Sequence, residues 1–493
     1  MIKDLNIITI RENHDIREAM RRIDKTGIRM VMVANEQNKL LGIATDGDIR
    51  RALLAGETFG TPISKVMNKS PVTAEEGTPA TQLLDIMLEK GFYEIPILDP
   101  SGVISDITLF SELKGIPLSS PDITHEEIEI VNQVLSTPYL STGPKIREFE
   151  ERVASYIGVK HAIAVNSGTS ALHLCIRSLG IKDGDEVITS PFSFVASANC
   201  ILFERAKPIF VDIDEDSLCI DVNRIEEKIT EKTKAILPVH IFGHPCRMDE
   251  ITRIAEKYNL AVIEDACEAI GAEYKGNKVG SIGNCGVFGF YPNKQLTTAE
   301  GGMVVTNDEK IAELCRSMRN QGRDESDLWL SYRRLGYNYR MSELNASIGV
   351  VQIDRIEELL EKRQRVVEYY NRRLSEIDSL RVPYVSPDVK ISWFVYVVRI
   401  NGEGFSQRVR DETIQEMKER GIDCREYFPP IHLQPFYIDM FGYQKGDFPI
   451  TERISTLTIA LPLYNNLTEK EVSYVCKTLQ NIISKYETIK QKN

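Results

Sequence analysis

Two charged residues stand in apolar surroundings, and together they suggest chemistry on a carbonyl group. Lys294 lies between two apolar runs, 287–291 and 303–305. Desolvation of a lysine between buried strands favours the neutral amine, which is the form that makes a Schiff base. Asp265 ends a further strand-like run, 261–264, where a carboxylate is costly unless it meets a cation. A protonated ring nitrogen would be such a cation.

A third feature could hold a phosphate. Gly168 and Thr169 lie between a predicted strand at 161–165 and a predicted helix at 170–179. Glycine lets backbone N–H groups approach an anion, and the helix N-terminus adds a favourable potential. A phosphate cradle, a carboxylate for a ring nitrogen and a lysine amine are the three requirements of pyridoxal phosphate (PLP). Each feature alone also fits a helix cap or a salt bridge.

The elements that must position these residues alternate along the chain. Apolar strands are predicted at 161–165, 186–189, 208–212, 235–239 and 261–265, with helices at 170–179, 195–203, 222–229 and 248–258. This alternation predicts an α/β fold with a parallel sheet covered on both faces. Ligands in such folds lie at the carboxyl ends of the strands. A charged helix near 354–377 begins a smaller C-terminal α+β part. We therefore divide residues 116–493 into a large part, 116–353, and a small part, 354–493.

An internal repeat occupies residues 1–114, which we predict to be a separate α+β module. Strands are predicted at 28–33 and 40–44, followed by a helix after Thr45, and the same order recurs from residue 93. The pattern makes Ser105 the counterpart of Thr45 in the second copy, which is an offset of 60 positions. Each copy is too small to bury both of its faces, so the copies should pack together.

The repeat resembles a tandem pair of cystathionine-beta-synthase (CBS) domains. The first copy carries the motif residues Gly42, Thr45 and Asp48. The resemblance implies an adenine-nucleotide site in which Thr45 meets phosphate and Asp48 accepts from the ribose hydroxyls. The second copy has Thr108 where the aspartate is expected, which puts ribose binding there in doubt. Thr45 and Asp48 could equally cap the following helix.

Residues 116–493 resemble the DegT/StrS family of sugar-nucleotide aminotransferases. The stretches that carry the resemblance are 140–144, 166–172, 240–243, 264–269, 291–302, 336–342 and 431–435. It implies the aspartate-aminotransferase type of PLP fold (type I) and a homodimer with active sites at the subunit interface. Lys294 would hold the cofactor, Asp265 would keep its ring nitrogen protonated, and Phe194 would stack on the ring. Gly168 and Thr169 would bind its phosphate.

Further roles follow from the same resemblance. Asn338 would reach the phosphate of the partner subunit, Glu268 would lie near the cofactor's 3-hydroxyl, and His432 would contact the nucleotide-sugar. Phe194 and His432 could instead be core residues without a ligand. Relatives often carry serine where this chain has Gly289, which weakens the phosphate assignment. Members that act as sugar dehydratases replace the lysine with histidine, so Lys294 argues against that branch.

The implied reaction moves an amino group from an amino acid, with glutamate expected, to a keto-sugar nucleotide for polysaccharide biosynthesis. Two alternatives remain: a catalytically idle, nucleotide-sensing regulatory protein and a PLP-dependent sugar dehydratase. Spectral conversion on adding glutamate would separate the first alternative from the transferase. Release of ammonia without net amino transfer would identify the second.

Composition limits the partners. The 493 residues carry 60 Lys and Arg against 72 Asp and Glu, a formal charge of −12, which disfavours nucleic acid and anionic membranes. No apolar run is long enough to span a bilayer.

The nine cysteines form no C-x-x-C pair, so we expect a reducing, cytoplasmic location. His240 and His244 flank Gly243 in a predicted loop, and no metal site is expected there.

Overall fold

The computed structural model describes residues 5–113, 115–324, 331–402 and 405–490. The chain forms two compact units, Met1–Gly115 and Ile116–Asn493. No helix in these described ranges is long and apolar enough to cross a membrane.

The first unit contains two copies of one α+β arrangement. Its helices are α1 (Leu5–Ile8), α2 (Ile16–Thr26), α3 (Asp46–Leu54), α4 (Ala80–Lys90) and α5 (Phe110–Leu113). Its strands are β1 (Thr9–Arg11), β2 (Met30–Ala34), β3 (Leu40–Thr45), β4 (Ala74–Glu75), β5 (Glu94–Leu98) and β6 (Ile104–Leu109). Each copy builds a three-stranded sheet, in the orders β1-β2-β3 and β4-β5-β6. In both sheets the first pair is parallel and the second antiparallel.

The two copies are related by an offset of 64 positions, and the predicted offset of 60 is wrong. Helix α2 corresponds to α4, β2 to β5 and β3 to β6 at this spacing. Met30 pairs with Thr45 in one copy, and Glu94 pairs with Leu109 in the other. Ser105 and Thr108 therefore lie inside β6, and the counterpart of Thr45 is Leu109. Burial of apolar residues in β6 decides the register, whereas the prediction followed a short polar motif.

The second unit is larger and contains all the residues proposed for the PLP site. Its helices are α6 (His125–Leu135), α7 (Pro144–Ile157), α8 (Gly168–Ser178), α9 (Ala196–Phe203), α10 (Met248–Tyr258), α11 (Glu309–Arg319), α12 (Glu343–Asp354), α13 (Ile356–Leu374), α14 (Gln407–Glu419), α15 (Pro435–Phe441), α16 (Pro449–Ser455) and α17 (Glu469–Lys490). Its strands are β7 (His161–Val165), β8 (Glu186–Thr189), β9 (Lys207–Phe210), β10 (Thr233–Leu237), β11 (Ala261–Asp265), β12 (Glu273–Tyr274), β13 (Asn277–Lys278), β14 (Cys285–Gly289), β15 (Gly302–Thr306), β16 (Leu380–Arg381), β17 (Val389–Lys390), β18 (Tyr396–Ile400) and β19 (Thr458–Leu461).

A seven-stranded sheet with the order β7-β15-β14-β11-β10-β8-β9 forms the centre of this unit. The five predicted strands share one direction, as expected, and the α/β class is confirmed. Strand β15 runs antiparallel to both of its neighbours, so the sheet is mixed rather than wholly parallel. The predicted helix at 222–229 is instead two short 3₁₀ turns, Val222–Arg224 and Glu226–Lys228.

A second core lies in the C-terminal part of the chain. Strands β16, β18 and β19 form a small antiparallel sheet. Its buried residues pack with one face of α13 and of α17, including Val366, Tyr396 and Leu479. The charged helix predicted at 354–377 is α13. Only Arg355 separates it from α12. The division at residue 354 remains a prediction.

Two paired glycines at the carboxyl edge of the sheet differ in the space around them. Gly302 opens β15 and lies across the ladder from Gly289, the last residue of β14. A Cβ on Gly302 would lie 2.4 Å from the carbonyl carbon and oxygen of Ser167, whereas a Cβ on Gly289 would meet Cys267 at 3.4 Å. The first distance leaves no room for a side chain, and the second is an ordinary contact.

We expect Gly302→Ala to lower the free energy of unfolding by about 1–3 kcal/mol, the usual cost of overpacking a rigid site. Gly289→Ala is the matched control and should change it little. Urea unfolding of the two variants beside the parent protein measures the difference. Equal losses in both variants would contradict the close approach of Gly302 to Ser167.

Candidate active site

Three loops bring the predicted residues to the carboxyl edge of the large sheet. Asp265 is the last residue of β11, and Gly168 begins α8 just after β7. Lys294 lies in the loop that leaves β14 and enters the antiparallel β15. Because β7, β11 and β14 share one direction, all three loops emerge at the same edge, where open α/β sheets bind ligands.

The amine of Lys294 is enclosed by a carboxylate and an aromatic ring. Its Nζ lies 3.4 Å from Oε1 of Glu268 and 3.8 Å from the centroid of the Phe394 ring. Only 15% of the lysine side chain is exposed. Both contacts stabilise an ammonium, and the ring also keeps water from one side of it.

Glu268 is buried beside this amine. Its Oε2 accepts a hydrogen bond of 3.0 Å from the backbone N–H of Phe242. Burial raises the pKa of Glu268, and the nearby ammonium of Lys294 opposes that rise. The ammonium and the buried carboxylate therefore form a close pair inside the site.

Asp265 has no cationic partner among the residues that the structure describes, although it is only 4% exposed. Its Oδ2 accepts from the Ser197 hydroxyl at 2.7 Å, and its Oδ1 accepts from the backbone N–H of Cys267 at 3.2 Å. Since Ser197 donates to Asp265, its own oxygen accepts from Ser193 at 2.8 Å. The carboxylate is thus oriented by neutral donors and can still meet a positive charge.

The start of α8 forms a cradle of backbone. Ser167 caps this helix, its Oγ accepting from the N–H of Ser170 at 3.1 Å. A Cβ on Gly168 would lie 2.9 Å from Sγ of Cys267, so the start of α8 packs too closely on Cys267 for a larger residue. Thr169 follows in the first turn of the helix.

These features fit pyridoxal phosphate by the chemistry of the donor set. A buried carboxylate without a cation suits a protonated ring nitrogen, and an open helix N-terminus suits a phosphate. A partly buried amine with an adjacent proton acceptor suits a Schiff-base lysine. The residues that would hold the cofactor are Gly168, Thr169, Asp265, Glu268 and Lys294.

Phe194 and Asn338 lie at the exposed side of this region. The Phe194 ring is 59% exposed just before α9. Asn338 is also exposed, and its backbone carbonyl accepts from the Asn166 side chain at 3.4 Å. Its segment also exposes Tyr332 and Leu335. The structure therefore leaves both predicted side chains available to a ligand or another subunit.

His432 does not join the lysine cluster within one chain. Its side chain has no exposed surface, and its Nε2 bonds Oε1 of Glu452 at 3.1 Å. The ring packs edge-on against Phe448 at 4.6 Å, and Nδ1 has no hydrogen-bond partner in the part of the chain that is described. In this arrangement the His432 ring holds the turn 431–433 against its neighbours. The ring can touch a ligand only if this turn moves.

Thr45 and Asp48 form a capping box at the start of α3. The Thr45 hydroxyl donates to Oδ2 of Asp48 at 2.6 Å and accepts from the Asp48 N–H at 3.1 Å. Arg51 holds the other carboxylate oxygen at 2.6 Å. Burial raises the pKa of Asp48, but the bonds from Thr45 and Arg51 outweigh it and keep the pKa below its usual value. The capping alternative is therefore realised in the structure.

Sequence reasoning missed Ser197, Phe394 and Arg363. Arg363 donates to the backbone carbonyl of Lys294 at 3.0 Å. Ser197 lies on a helix of small residues and Phe394 in an apolar run, so neither carried a signal. The one available signal was Arg363, a charged residue at a core position of α13.

The fold and the site define a PLP-dependent aminotransferase of the aspartate-aminotransferase fold type. The chain belongs to the DegT/DnrJ/EryC1/StrS aminotransferase family, which it matches over residues 121–480. Residues 2–55 and 63–114 each match the CBS domain, so the predicted CBS pair is confirmed.

Relatives cover the second unit of the chain. The GDP-perosamine synthase of Caulobacter vibrioides is 39% identical over 375 residues, which are 76% of this chain and all of that protein. The spore coat polysaccharide biosynthesis protein SpsC of Bacillus subtilis is 37% identical over 75% of this chain and 97% of its own length. Among solved structures, the PLP form of a Streptococcus pneumoniae protein assigned as a sugar aminotransferase is 30% identical. It has a TM-score of 0.72 and covers 76% of this chain and 99% of that one.

The burial of His432 makes stability depend on pH. Desolvation lowers its pKa, against the opposing pull of Glu452. The unfolded chain therefore binds this proton at a higher pH than the folded chain, and stability is lost as the pH falls through about 6.5. We expect the melting temperature of His432→Gln to fall less than that of the parent protein between about pH 8 and about pH 5.5.

His125→Gln provides the control, because the His125 ring is exposed on α6. Its melting temperature should follow the parent protein over the same range. A loss of substrate affinity in His432→Gln without any change in the pH dependence would instead support direct contact with the nucleotide-sugar.

Proposed function

We propose that this protein transfers the amino group of glutamate to the keto group of a nucleotide-linked sugar, for polysaccharide biosynthesis. The observation that carries the proposal is the placement of Lys294 Nζ between Glu268 and Phe394, together with a buried Asp265 that forms no ion pair with any described residue. The sugar-nucleotide substrate is supported by the GDP-perosamine synthase relative, and the polysaccharide role by SpsC.

Lys294 acts as the base of the reaction. Its Nζ removes the proton from the α carbon of the amino acid donor and later returns a proton to the sugar carbon that receives the amine. Glu268, within 3.4 Å, accepts and returns the proton as Lys294 changes its charge. The Phe394 ring excludes water from this exchange.

When bound, pyridoxal phosphate supplies the carbonyl that takes up the amino group and the ring that withdraws electrons from the donor's α carbon. Asp265 stabilises positive charge on the ring nitrogen, and the Ser197 hydroxyl holds that carboxylate in place. Gly168 and Thr169 would anchor the phosphate, and Phe194 would lie against the ring. Because the donor and the sugar use one site in turn, ping-pong kinetics follow.

The active form is a cytoplasmic homodimer with sites at the subunit interface. Tyr332, Leu335 and Asn338 support this proposal, because apolar side chains are exposed on the same segment as a residue suited to reach a phosphate. Residues 116–353 form the cofactor-binding part and residues 354–493 the smaller part.

The test supplies the protein with PLP, glutamate and a panel of keto-sugar nucleotides, and identifies each product by mass. We expect Lys294→Ala to lower turnover by at least about a thousandfold, as removal of an active-site base or nucleophile does. Lys310→Ala, on an exposed position of α11, should leave turnover unchanged.

An unchanged rate in Lys294→Ala would overturn the assignment. Release of ammonia from the sugar substrate without net amino transfer would identify a dehydratase instead. Absence of any spectral change on adding glutamate to the PLP-loaded protein would favour the idle scaffold.

We further propose that the CBS pair binds an adenine nucleotide at Thr45 and Asp48 in the first copy and modulates the transferase. The second copy offers Leu109 in place of Thr45 at the observed offset of 64, so only the first copy supplies the hydroxyl. By linkage, a nucleotide that alters substrate affinity must have its own affinity altered by the substrate to the same degree.

Titration of the full chain with AMP or ATP tests this binding. We expect the nucleotide to raise the melting temperature, and Asp48→Asn to reduce that rise, because an amide is a weaker acceptor for ribose hydroxyls than a carboxylate. The side chain of Asp46 is half exposed and pairs with Arg50 on the surface, so Asp46→Asn is the control. No shift in the parent protein would leave Thr45 and Asp48 as a helix cap alone.

A further inference from the structure

Arg363 is a buried cation without an anion. It lies on α13 at a core position, on the same face as Leu359, Val366 and Tyr370. The side chain is 2% exposed, and no carboxylate among the described residues forms an ion pair with its guanidinium. Burial lowers the pKa of Arg363 to about 10, with a small opposing effect from Asp122. An apolar residue would fill this position at far lower cost.

Within the described part of the chain the guanidinium donates only to backbone carbonyls, and these belong to two segments of the site. Nη2 donates to the carbonyl of Lys294 at 3.0 Å. Nη1 donates to the carbonyls of Trp393 and Phe394 at 3.2 and 3.1 Å. One side chain thus joins the backbone of the lysine to the backbone of the aromatic residue that its amine contacts.

This connection links the backbone segments that carry the Lys294 amine and the Phe394 ring. Nζ lies 3.8 Å from the Phe394 ring, and this distance depends on the relative position of the two backbone segments. No other described side chain donates to the Lys294 carbonyl. The planar fork of arginine reaches both segments with separate nitrogens, whereas a lysine at the same position would offer a single nitrogen.

We propose that Arg363 is the positioning residue for Lys294, holding its amine against Phe394 and Glu268. The catalytic meaning of this role rests on the proposed function of Lys294. Arg363 itself touches neither substrate nor cofactor. Its loss should release the amine from its two contacts and expose it to solvent, while the remaining lysines of the protein keep their environments.

The test measures the reactivity of individual lysines in the apo-protein. The protein is treated with a trace of isotopically labelled acetic anhydride, and the acetylation of each lysine is quantified by mass spectrometry over a range of pH. We expect Lys294 to react about tenfold faster in Arg363→Gln, since couplings between contacting residues correspond to roughly two- to hundredfold changes. Arg363→Lys should restore part of the protection.

Arg365→Gln is the control, because Arg365 is exposed on the same helix. Lys145, which pairs with Glu148 at 2.7 Å, is the internal reference. An increase at Lys294 alone supports the proposal, whereas a parallel increase at Lys145 reports general unfolding and contradicts a specific role. Unchanged reactivity of Lys294 in a folded Arg363→Gln protein would also overturn it.

Turnover of Lys294→Ala, measured beside the acetylation, separates this proposal from the proposed function. If Lys294→Ala retains full turnover, Lys294 is not the catalytic base, even where acetylation shows that Arg363 positions it. If acetylation is unchanged in Arg363→Gln but Lys294→Ala is inactive, the function stands and the positioning role fails.

Discussion

The site depends on the close approach of the loop that carries Lys294 to the start of α8. This loop leaves β14 at Gly289 and returns into β15 at Gly302. Gly302 lies directly against the backbone of Ser167 and Gly168, and Gly289 lies beside Cys267. Because both ends of the loop are paired in one ladder, the lysine, the start of α8 and the strand that carries Asp265 lie together at one edge of the sheet. Antiparallel β15 is therefore the strand that brings the lysine back to the cradle.

The apolar runs predicted much of this arrangement. Strands β7, β8, β10 and β11 lie close to their predicted ranges. A short apolar run between two predicted helices is typical of a buried strand. The direction of β15 could not be predicted, because the residue pattern of an apolar strand does not depend on whether the strand runs parallel or antiparallel to its neighbours. The predicted offset of the CBS copies was wrong because a short motif was weighed above the strand register. Contacts such as Phe394 with Lys294 join residues far apart in the chain, and only tertiary packing brings them together.

The prediction for His432 shows that a motif match does not predict the contacts of a side chain. A motif can identify a residue shared with relatives, but it does not state which atoms that residue touches. Here the imidazole lies fully inside the C-terminal part and bonds Glu452, which also accepts from the N–H groups of Gly446 and Phe448. Glu452 thus organises the loop before α16, and the histidine completes its set of donors.

The adjacent acids Glu264 and Asp265 illustrate how the fold selects one group for chemistry. Neighbouring residues of a strand point to opposite faces of the sheet. Glu264 accepts from the N–H groups of Gly280, Ile282 and Gly283 and from Nε2 of His240. Nδ1 of His240 accepts from the Cys246 N–H, so Nε2 carries the hydrogen and the ring is a neutral donor. Four donors satisfy Glu264 completely, and it has no capacity left for a ligand.

Among the residues that the structure describes, Asp265, one residue later, receives only the Ser197 hydroxyl and one backbone N–H. A buried carboxylate with two neutral donors retains lone pairs and an uncompensated charge. The sequence Glu-Asp alone does not distinguish the two residues. The turn at 280–283, which folds back over one face of β11, makes Glu264 structural and leaves Asp265 as the carboxylate that can bind a cation.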